Sequence, residues 1–225
     1  MEDKYSKNIY PDIITMEQTK DLVKFSKGVF RIKTENCVAS CFFLELQRNN
    51  KPFYCLMTNQ YIITPDMVDK KEIIKIIDKD EIIILSIKLD SKERIIQCFN
   101  KSLNIDITII EIIPQDNLNY SFFLKANSEP FEQFIGKTIE IIHYPKDKGL
   151  SFSFRKIFEI YEQNMFSHDA CTEQGSGGSP IILKETGEVI GIHKGCIPNK
   201  KINIGIFIKN VVDKMKNYKR EEEKN

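Results

Sequence analysis

The feature that most limits what this chain can fold into is a long series of short, isoleucine-rich runs separated by turn residues. The runs of the first half are 29–33, 37–47, 52–58, 72–77, 81–89, 93–99 and 105–113. Those of the second half are 137–143, 150–161, 163–168, 179–184, 188–193 and 201–208. β-branched residues favour strands, and 49–52 and 78–80 are typical of hairpin turns. This spacing predicts an all-β barrel or sandwich.

The strand series falls into two groups, with a predicted helix before the first and another after the second. Residues 14–27 predict a short helix capped by Thr15 or Thr19. We therefore expect an N-terminal extension with this helix, a first β-barrel, an inter-barrel linker, a second β-barrel, and a C-terminal helix with a solvated charged tail. Their ranges are 1–27, 28–118, 119–136, 137–206 and 207–225.

Composition and charge are those of an ordinary globular protein of 225 residues. Lys and Arg number 33 and Asp and Glu 32, a formal charge of +1, so nothing requires nucleic acid or an anionic membrane as a partner. No apolar run approaches the ~20 residues of a membrane span, and 1–7 is not followed by the apolar core of a signal peptide. The six cysteines lack Cys-x-x-Cys spacing. We expect reduced thiols in a cytoplasmic protein, with no metal and no cofactor.

A glycine-rich loop lies between two strands of the second group. Residues 172–180 read Thr-Glu-Gln-Gly-Ser-Gly-Gly-Ser-Pro. Glycine permits positive φ and lets a ligand approach the backbone closely. The composition therefore predicts a tight loop rather than the interior of a helix or strand.

This loop resembles the nucleophile loop of the trypsin-like (chymotrypsin-fold) serine peptidases, which reads Gly-x-Ser-Gly-x-Pro. Gly175, Gly178 and Pro180 are in register, and Gly177 stands where the family has its serine. The resemblance extends over roughly 20–212 and is strongest to the intracellular and bacterial branch near the glutamyl endopeptidases. It implies two six-stranded antiparallel β-barrels of chymotrypsin type with a C-terminal helix.

Two further stretches resemble the other catalytic motifs of the family, in the family's order. The stretch from Cys55 to Ile63 is similar to Leu-Thr-Asn-x-His-Val-Ile, with Tyr61 at the histidine position. Tyrosine has an unperturbed pKa of about 10 and is no base near neutrality. Asp106, which heads an apolar strand, matches the aspartate that orients the histidine. Without that histidine, Asp106 is expected to bond Tyr61 or water.

The resemblance also assigns an oxyanion hole and a substrate pocket. The backbone at Gly175 and Gly177 matches the oxyanion hole. The stretch 188–195 is similar to Val-Ile-Gly-Ile-His, and the resemblance implies that His193 and Thr172 hold an acidic side chain, with Cys171 near the pocket base. A satisfied strand histidine at 193 is the open alternative.

Ala39 and Cys41 stand where relatives usually have glycines before a strand of the first barrel, so their Cβ atoms crowd the leaving-group side of the cleft. With base and nucleophile both replaced, we expect an inactive homologue that binds a peptide or protein segment between the barrels by strand addition. The alternative is a weakly active endopeptidase that uses Ser176 with His168 or His193 as the base. His143, at a strand end, is interpreted as structural, and the oligomeric state stays open.

Overall fold

The computed structural model describes residues 15–99, 105–146, 148–162, 164–197 and 202–219. Within these ranges, fourteen strands form two sheets, with short helices between and beside them. The helices are α1 (Met16–Ser26), α2 (Pro65–Asp69) and α3 (Lys209–Lys216), and 3₁₀ turns cover Pro114–Asp116, Tyr120–Phe122 and Phe131–Phe134. The first eight strands are β1 (Val29–Lys33), β2 (Val38–Arg48), β3 (Lys51–Asn59), β4 (Ile73–Ile77), β5 (Ile83–Lys88), β6 (Ile96–Phe99), β7 (Ile107–Glu111) and β8 (Leu124–Lys125). The remaining six are β9 (Thr138–His143), β10 (Ser151–Glu162), β11 (Met165–His168), β12 (Pro180–Leu183), β13 (Glu188–Ile197) and β14 (Ile202–Phe207).

The second sheet closes into a six-stranded barrel in the order β10-β11-β14-β13-β12-β9. All of its pairings are antiparallel. The first sheet has the order β5-β4-β1-β2-β3-β7-β6, and β8 adds to β2 in parallel. The double-barrel architecture expected from the sequence is thus confirmed. The first sheet departs from a fully closed barrel because its end strands, β5 and β6, do not pair within the described residues.

One apolar core joins the two sheets. A single cluster contains Phe42 and Met57 of the first sheet together with Ile192 and Ile206 of the second, and α3 adds Val211 to it. Burial of this shared surface is the main force that holds the sheets together. The cleft between them is therefore fixed by the core beneath it.

The two terminal helices follow the sequence closely. Thr15 caps α1 by accepting from the Gln18 N–H at 3.2 Å, and the Gln18 side chain accepts from the Thr15 N–H at 2.9 Å. This reciprocal capping selects Thr15 over Thr19. In α3, Val211, Val212 and Met215 face the core. Within the described ranges no helix is long and apolar enough to cross a membrane, and most of the predicted charged tail lies outside those ranges.

Candidate active site

The wall of the site on the first sheet is built where β3 ends and β7 begins. Asn59, the last residue of β3, is fully buried, and its side-chain N–H donates to the main-chain oxygen of Asp106 at 3.2 Å. The Gln60 N–H donates to the same oxygen at 3.2 Å. The N–H groups of Ile62 and Ile63 then close a turn onto the Asn59 oxygen. Tyr61 lies in this turn, so its backbone is fixed on both sides.

A buried serine holds the glycine-rich loop against the first sheet. The Ser40 N–H donates to the Gly177 oxygen at 3.0 Å, and its hydroxyl donates to the Gly175 oxygen at 2.9 Å. That hydroxyl also accepts from the Tyr144 N–H at 3.0 Å. One side chain therefore ties together β2, the loop and the end of β9, which fixes the loop across the cleft.

Two of the loop glycines are required by backbone angle and by space. Gly175 has φ +92°, and a Cβ there would lie 2.7 Å from the Tyr144 oxygen. Gly178 has φ +85°, and a Cβ there would lie 2.2 Å from the Ser40 oxygen and 2.5 Å from the Thr58 hydroxyl. Both distances are far inside van der Waals contact, and both φ values are unfavourable for other residues. Packing alone explains these two glycines.

The Tyr61 hydroxyl fills the space that a side chain at position 177 would need. A Cβ on Gly177 would lie 1.8 Å from the hydroxyl oxygen and 3.1 Å from Cζ of Tyr61. The hydroxyl donates to the main-chain oxygen of Lys194 at 3.3 Å. Burial, and then the negative charge of Asp106, raises the pKa of Tyr61 to about 12. The hydroxyl is neutral near pH 7, and it cannot act as a general base there.

Asp106 faces a cation that the sequence motifs do not indicate. The carboxylate is 1% exposed, and the Nζ of Lys194 lies 3.9 Å from its Oδ2. The sequence predicts a bond from Asp106 to Tyr61 or water, whereas the Tyr61 hydroxyl bonds to Lys194 instead. Lys194 thus contributes a positive charge beside the buried Asp106 carboxylate.

Ser176 belongs to a buried relay of hydrogen bonds. Its hydroxyl accepts from the Glu173 N–H at 3.1 Å and lies 2.7 Å from Nδ1 of His143. Nε2 of His143 lies 3.1 Å from the Ser153 hydroxyl, which donates to the Cys171 oxygen at 2.6 Å. Since Ser153 uses its proton on that oxygen, it accepts from Nε2–H of His143. Nδ1 then accepts from Ser176, so the network assigns a neutral His143.

This relay replaces the Ser176 partners that the sequence suggested, because His143, and neither His168 nor His193, bonds the Ser176 hydroxyl. The sequence interpretation of His143 as purely structural overlooks this contact. Ser176 is fully buried and His143 is 2% exposed. Burial lowers the pKa of His143 to about 4. The Ser176 hydroxyl and His143 are within hydrogen-bond distance, but both side chains are buried.

The two N–H groups assigned to an oxyanion hole are both available. Among the described residues, neither Gly175 nor Gly177 donates its N–H to an acceptor. The neighbouring N–H groups are occupied: Ser176 donates to the Glu173 oxygen and Gly178 to the His193 oxygen, each at 3.0 Å. Within the described residues, bonded and free N–H groups therefore alternate along the loop, and the N–H groups of Gly175 and Gly177 remain free to donate, as an oxyanion hole requires.

The substrate pocket assigned from the sequence contains Thr172, Cys171 and His193. Thr172 donates its hydroxyl to the Asn203 side-chain oxygen at 3.0 Å, and Asn203 in turn donates to the Ala170 oxygen at 2.7 Å. Cys171 is exposed. His193 is buried, and its Nδ1 has no hydrogen-bond partner within the described residues. Thr172 is therefore already engaged, and His193 has unused hydrogen-bonding capacity.

The His193 ring lies beside that of His168, with ring centroids 5.4 Å apart. The Ala170 N–H donates to Nδ1 of His168 at 3.3 Å, so that nitrogen is unprotonated in the folded protein. Burial lowers the pKa of His168 to about 3. Burial, followed by the neighbouring His168 and His143, holds the pKa of His193 well below its usual value. All three histidines of the chain are neutral in the folded state near pH 7.

The free energy of unfolding is expected to fall as the pH falls from about 6.5 to about 4, because unfolding returns these histidines to a pKa of about 6.5. In that window the unfolded state binds more protons than the folded state, so acid favours unfolding. The pKa of His143 is lowered from 6.5 to about 4 on folding, so His143 alone accounts for a change of about 3 kcal/mol in the free energy of unfolding across this window. Urea unfolding at stepped pH values measures this slope. His143→Gln, which keeps two hydrogen-bonding groups but does not titrate, should lower the slope by nearly one proton.

Glu140 works in the opposite direction and over nearly the same pH range, so it offsets part of the histidine slope. Burial raises its pKa to about 7, and Lys184 partly offsets the shift. A raised carboxyl pKa gives stability that is present below about pH 4.5 and is lost as the pH rises through 7. Since Glu140 is present in both proteins, the difference between their slopes reports His143, and equal slopes of the wild type and His143→Gln between pH 4 and 6.5 would contradict the neutral relay.

Two residues of the site, Ser40 and Lys194, carry no signal of their own in the sequence. Ser40 is an ordinary residue of β2, and Lys194 follows the motif that ends at His193. The roles of both depend on contacts with segments that are distant in the sequence. Asn59 lies inside the quoted Thr-Asn motif, and that position is the one signal that could have indicated it. In the part of the chain that the structure describes, no three His, Cys, Asp or Glu side chains are grouped to hold a metal ion.

Comparisons with known proteins agree with this architecture. A family model described as a trypsin-like peptidase domain matches residues 39–192. No curated protein matches the chain. The inactive form of a serine-to-alanine mutant of Rv3671c from M. tuberculosis H37Rv is similar in structure, with TM-score 0.63, 15% identity, and coverage of 92% of each chain.

Two further solved structures are similar at the same level. The serine endoprotease from Yersinia pestis has TM-score 0.64 and 15% identity, over 92% of this chain and 66% of that one. Deg5 has TM-score 0.62 and 15% identity, over 88% and 93%. At such identities these likenesses concern the fold alone.

Proposed function

The chain belongs to the trypsin-like peptidase family, and on that premise we propose that it binds peptides in the cleft between its two barrels without cleaving them. The observation that carries the proposal is the contact between Tyr61 and Gly177. Position 177 has no hydroxyl or thiol to attack a carbonyl, and the hydroxyl that fills its place is neutral near pH 7. Nucleophile and base are missing together, which removes the steps of acyl transfer.

The surfaces that hold a peptide backbone support the binding half of the proposal. β12 pairs with β13 only as far as Ile192, while β13 continues to Ile197 along β14. The loop also covers His193, whose oxygen accepts from the Gly178 N–H and whose N–H donates to the Ser179 oxygen. Within the described residues, β13 presents a strand edge on the side of the cleft only beyond His193. An extended peptide can add to such an edge through main-chain hydrogen bonds. The free N–H groups of Gly175 and Gly177 lie in the adjacent loop.

His193 supports a preference for an acidic side chain in the pocket beside this edge. The Nδ1 of the neutral His193 ring has no hydrogen-bond partner within the described residues, so in the tautomer that carries the proton there it can donate to the carboxylate of an acidic anchor. The ring is 2% exposed, so the anchor reaches it only when binding opens the pocket. Glu173, which is exposed on the same loop, limits that preference through like charge. The proposal is therefore a moderate selectivity, on the order of tenfold, for acidic over apolar or basic anchors.

Fluorescence anisotropy with labelled peptide amides that differ only in one anchor (Glu, Leu or Lys) tests the proposal. We expect the Glu peptide to bind about tenfold more tightly than the others, and mass spectrometry to recover all of them intact. His193→Asn, checked for an unchanged melting curve, should remove the preference and retain the binding. Absence of binding by all three peptides, or cleavage of any, contradicts the proposal.

A second function has one observation in its favour, the 2.7 Å contact of Ser176 with His143. Such a contact activates a serine when the hydroxyl is accessible, whereas here the residue is fully buried. A serine-directed fluorophosphonate probe separates the two functions, with an active trypsin-like peptidase as the positive control. We expect no labelling of the wild type; stoichiometric labelling at Ser176 would replace the binding proposal with a weakly active endopeptidase.

A further inference from the structure

A large open cavity lies on the leaving-group side of the glycine-rich loop. It has a volume of about 820 Å³ and lies between the β1–β2 hairpin, the segment after β9, and the loop. Its lining ends at Gln174 and Gly175 and includes neither Tyr61 nor Lys194. The cavity is therefore a separate half of the cleft from the β13 edge.

Positive charge dominates this cavity. Its lining contains the cations Arg31, Lys33, Lys146 and Lys148, against the anions Glu35 and Glu81. Glu81 pairs with Arg31, and Lys148 pairs with Glu173 on the loop. Lys33 and Lys146 are exposed, and within the described residues neither has an ion-pair partner. Two uncompensated lysines thus face the opening from opposite barrels.

A third lysine, Lys75, lies beside Lys33 although it does not line the cavity itself. Lys33 on β1 lies directly opposite Lys75 on β4 in the antiparallel register. Lys75 is also exposed. Like charges at directly opposed positions repel each other and destabilise a sheet. A carboxylate placed between these two side chains relieves that repulsion, so the arrangement favours an anionic ligand.

Arg31 is held in place in the cavity wall. Its guanidinium lies 5.1 Å from the centroid of the Tyr144 ring, pairs with Glu81, and donates to the Lys148 oxygen at 3.3 Å. A guanidinium that is already ordered loses little conformational entropy when it binds a carboxylate. The cavity therefore combines one fixed cation with mobile lysine side chains at the rim.

We propose that this cavity binds an acidic segment of a partner polypeptide, with Lys33, Lys75 and Lys146 supplying the charges that recognise it. The inference rests on the proposed peptide-binding function and names the chemistry of the ligand on the leaving-group side. Electrostatic complementarity of this kind sets specificity and speeds association, and it weakens as salt screens the exposed charges.

Charge reversal in the cavity tests the inference against a matched control. The Lys33→Glu/Lys146→Glu variant changes the net charge by the same amount as Lys20→Glu/Lys51→Glu, whose lysines are exposed and outside the cavity. The probes are two labelled peptides with the same Glu anchor, followed on the leaving-group side by Asp and Glu in one and by Asn and Gln in the other. Both variants are first compared with the wild type by melting curve.

We expect the acidic peptide to bind the wild type about tenfold more tightly than the neutral one at low salt, and the difference to shrink at high salt. Lys33→Glu/Lys146→Glu should abolish the difference, and Lys20→Glu/Lys51→Glu should keep it. Equal affinity of the two peptides for the wild type, or equal loss in both variants, overturns the inference. Binding of a single-stranded RNA with the same dependence on Lys33 and Lys146, and no gain from acidic residues, also overturns it.

The same measurements separate this inference from the proposed function. A neutral peptide that binds while acidic residues add nothing leaves the peptide-binding function standing and removes the inference. An acidic peptide that binds when the neutral one does not, and that depends on Lys33 and Lys146, supports the inference and removes the contribution of the β13 edge. Failure of both peptides to bind contradicts both.

Discussion

The Tyr61→His/Gly177→Ser double variant is expected to react with a fluorophosphonate probe at the introduced serine, while the wild type and both single variants stay unlabelled. Gly177→Ser alone places a Cβ 1.8 Å from the Tyr61 hydroxyl and has no base. Tyr61→His alone has a base but no nucleophile. If Asp106 orients the introduced imidazole and the N–H groups of Gly175 and Gly177 form the oxyanion hole, as we expect, only the base and the nucleophile are missing, and both must be supplied together.

The expected gain in labelling can be estimated from the loss of activity when a catalytic triad residue is removed from a related kind of site. In subtilisin, loss of the serine or of the histidine alone costs about as much as loss of the whole triad, on the order of 10⁶ in kcat. If Asp106 and the N–H groups of Gly175 and Gly177 serve as the orienting carboxylate and the oxyanion donors, labelling should therefore rise by at least ~10³-fold over the wild type once both groups return. Burst kinetics with an activated ester measure the same step independently.

Two matched variants make this result interpretable. Tyr61→His/Gly177→Ala removes the tyrosine and fills position 177 without a nucleophile, so it should stay unlabelled. Adding Lys194→Ser to the double variant removes the cation that lies 3.9 Å from Asp106, and it should increase labelling because the imidazole then has the carboxylate to itself. Folded double and triple variants that both stay unlabelled would show that the loop is not a competent catalytic frame.

The parts of this protein that the sequence predicts are those fixed by local patterns. The strand runs, the cap at Thr15 and the apolar stripe of α3 all arise from residues within a few positions of one another. The order of the motifs around Tyr61, Asp106 and Gly177 predicts the double-barrel architecture, because their spacing along the chain assigns each motif to a strand end or a loop of that fold. Register is then set by which face of each strand is buried.

The parts that the sequence misses depend on contacts between distant segments. Ser176 and His143 are 33 positions apart, and nothing local to either indicates the bond between them. The Lys194 ammonium lies 3.9 Å from the Asp106 carboxylate, at a register shift of β13 between His193 and Gly195. The alternating pattern of a strand does not predict such a shift. The two-residue strand β8, parallel to β2, is too short to leave a pattern. Such features follow from tertiary packing rather than from propensity.

Gly178→Ala is expected to destabilise the protein by at least ~3 kcal/mol more than Gly136→Ala, because a Cβ at 178 has no room. Both glycines have positive φ, +85° and +76°, so both variants carry the backbone cost of about 1–2 kcal/mol. The Cβ at 136 meets nothing within 4 Å, whereas the one at 178 lies 2.2 Å from the Ser40 oxygen. The difference between the two variants in urea unfolding isolates the steric part.

This comparison decides what the glycine motif is for in a chain without a nucleophile. If the extra cost is found, the close approach of β2 to the loop is sufficient reason for glycine at 178, since that contact supports the fold whether or not chemistry occurs. The motif then indicates the fold, and activity has to be judged from positions 61 and 177. If Gly178→Ala is as mild as Gly136→Ala, the loop has room to move, and a fixed frame no longer explains how Ser40 holds the two N–H donors in position.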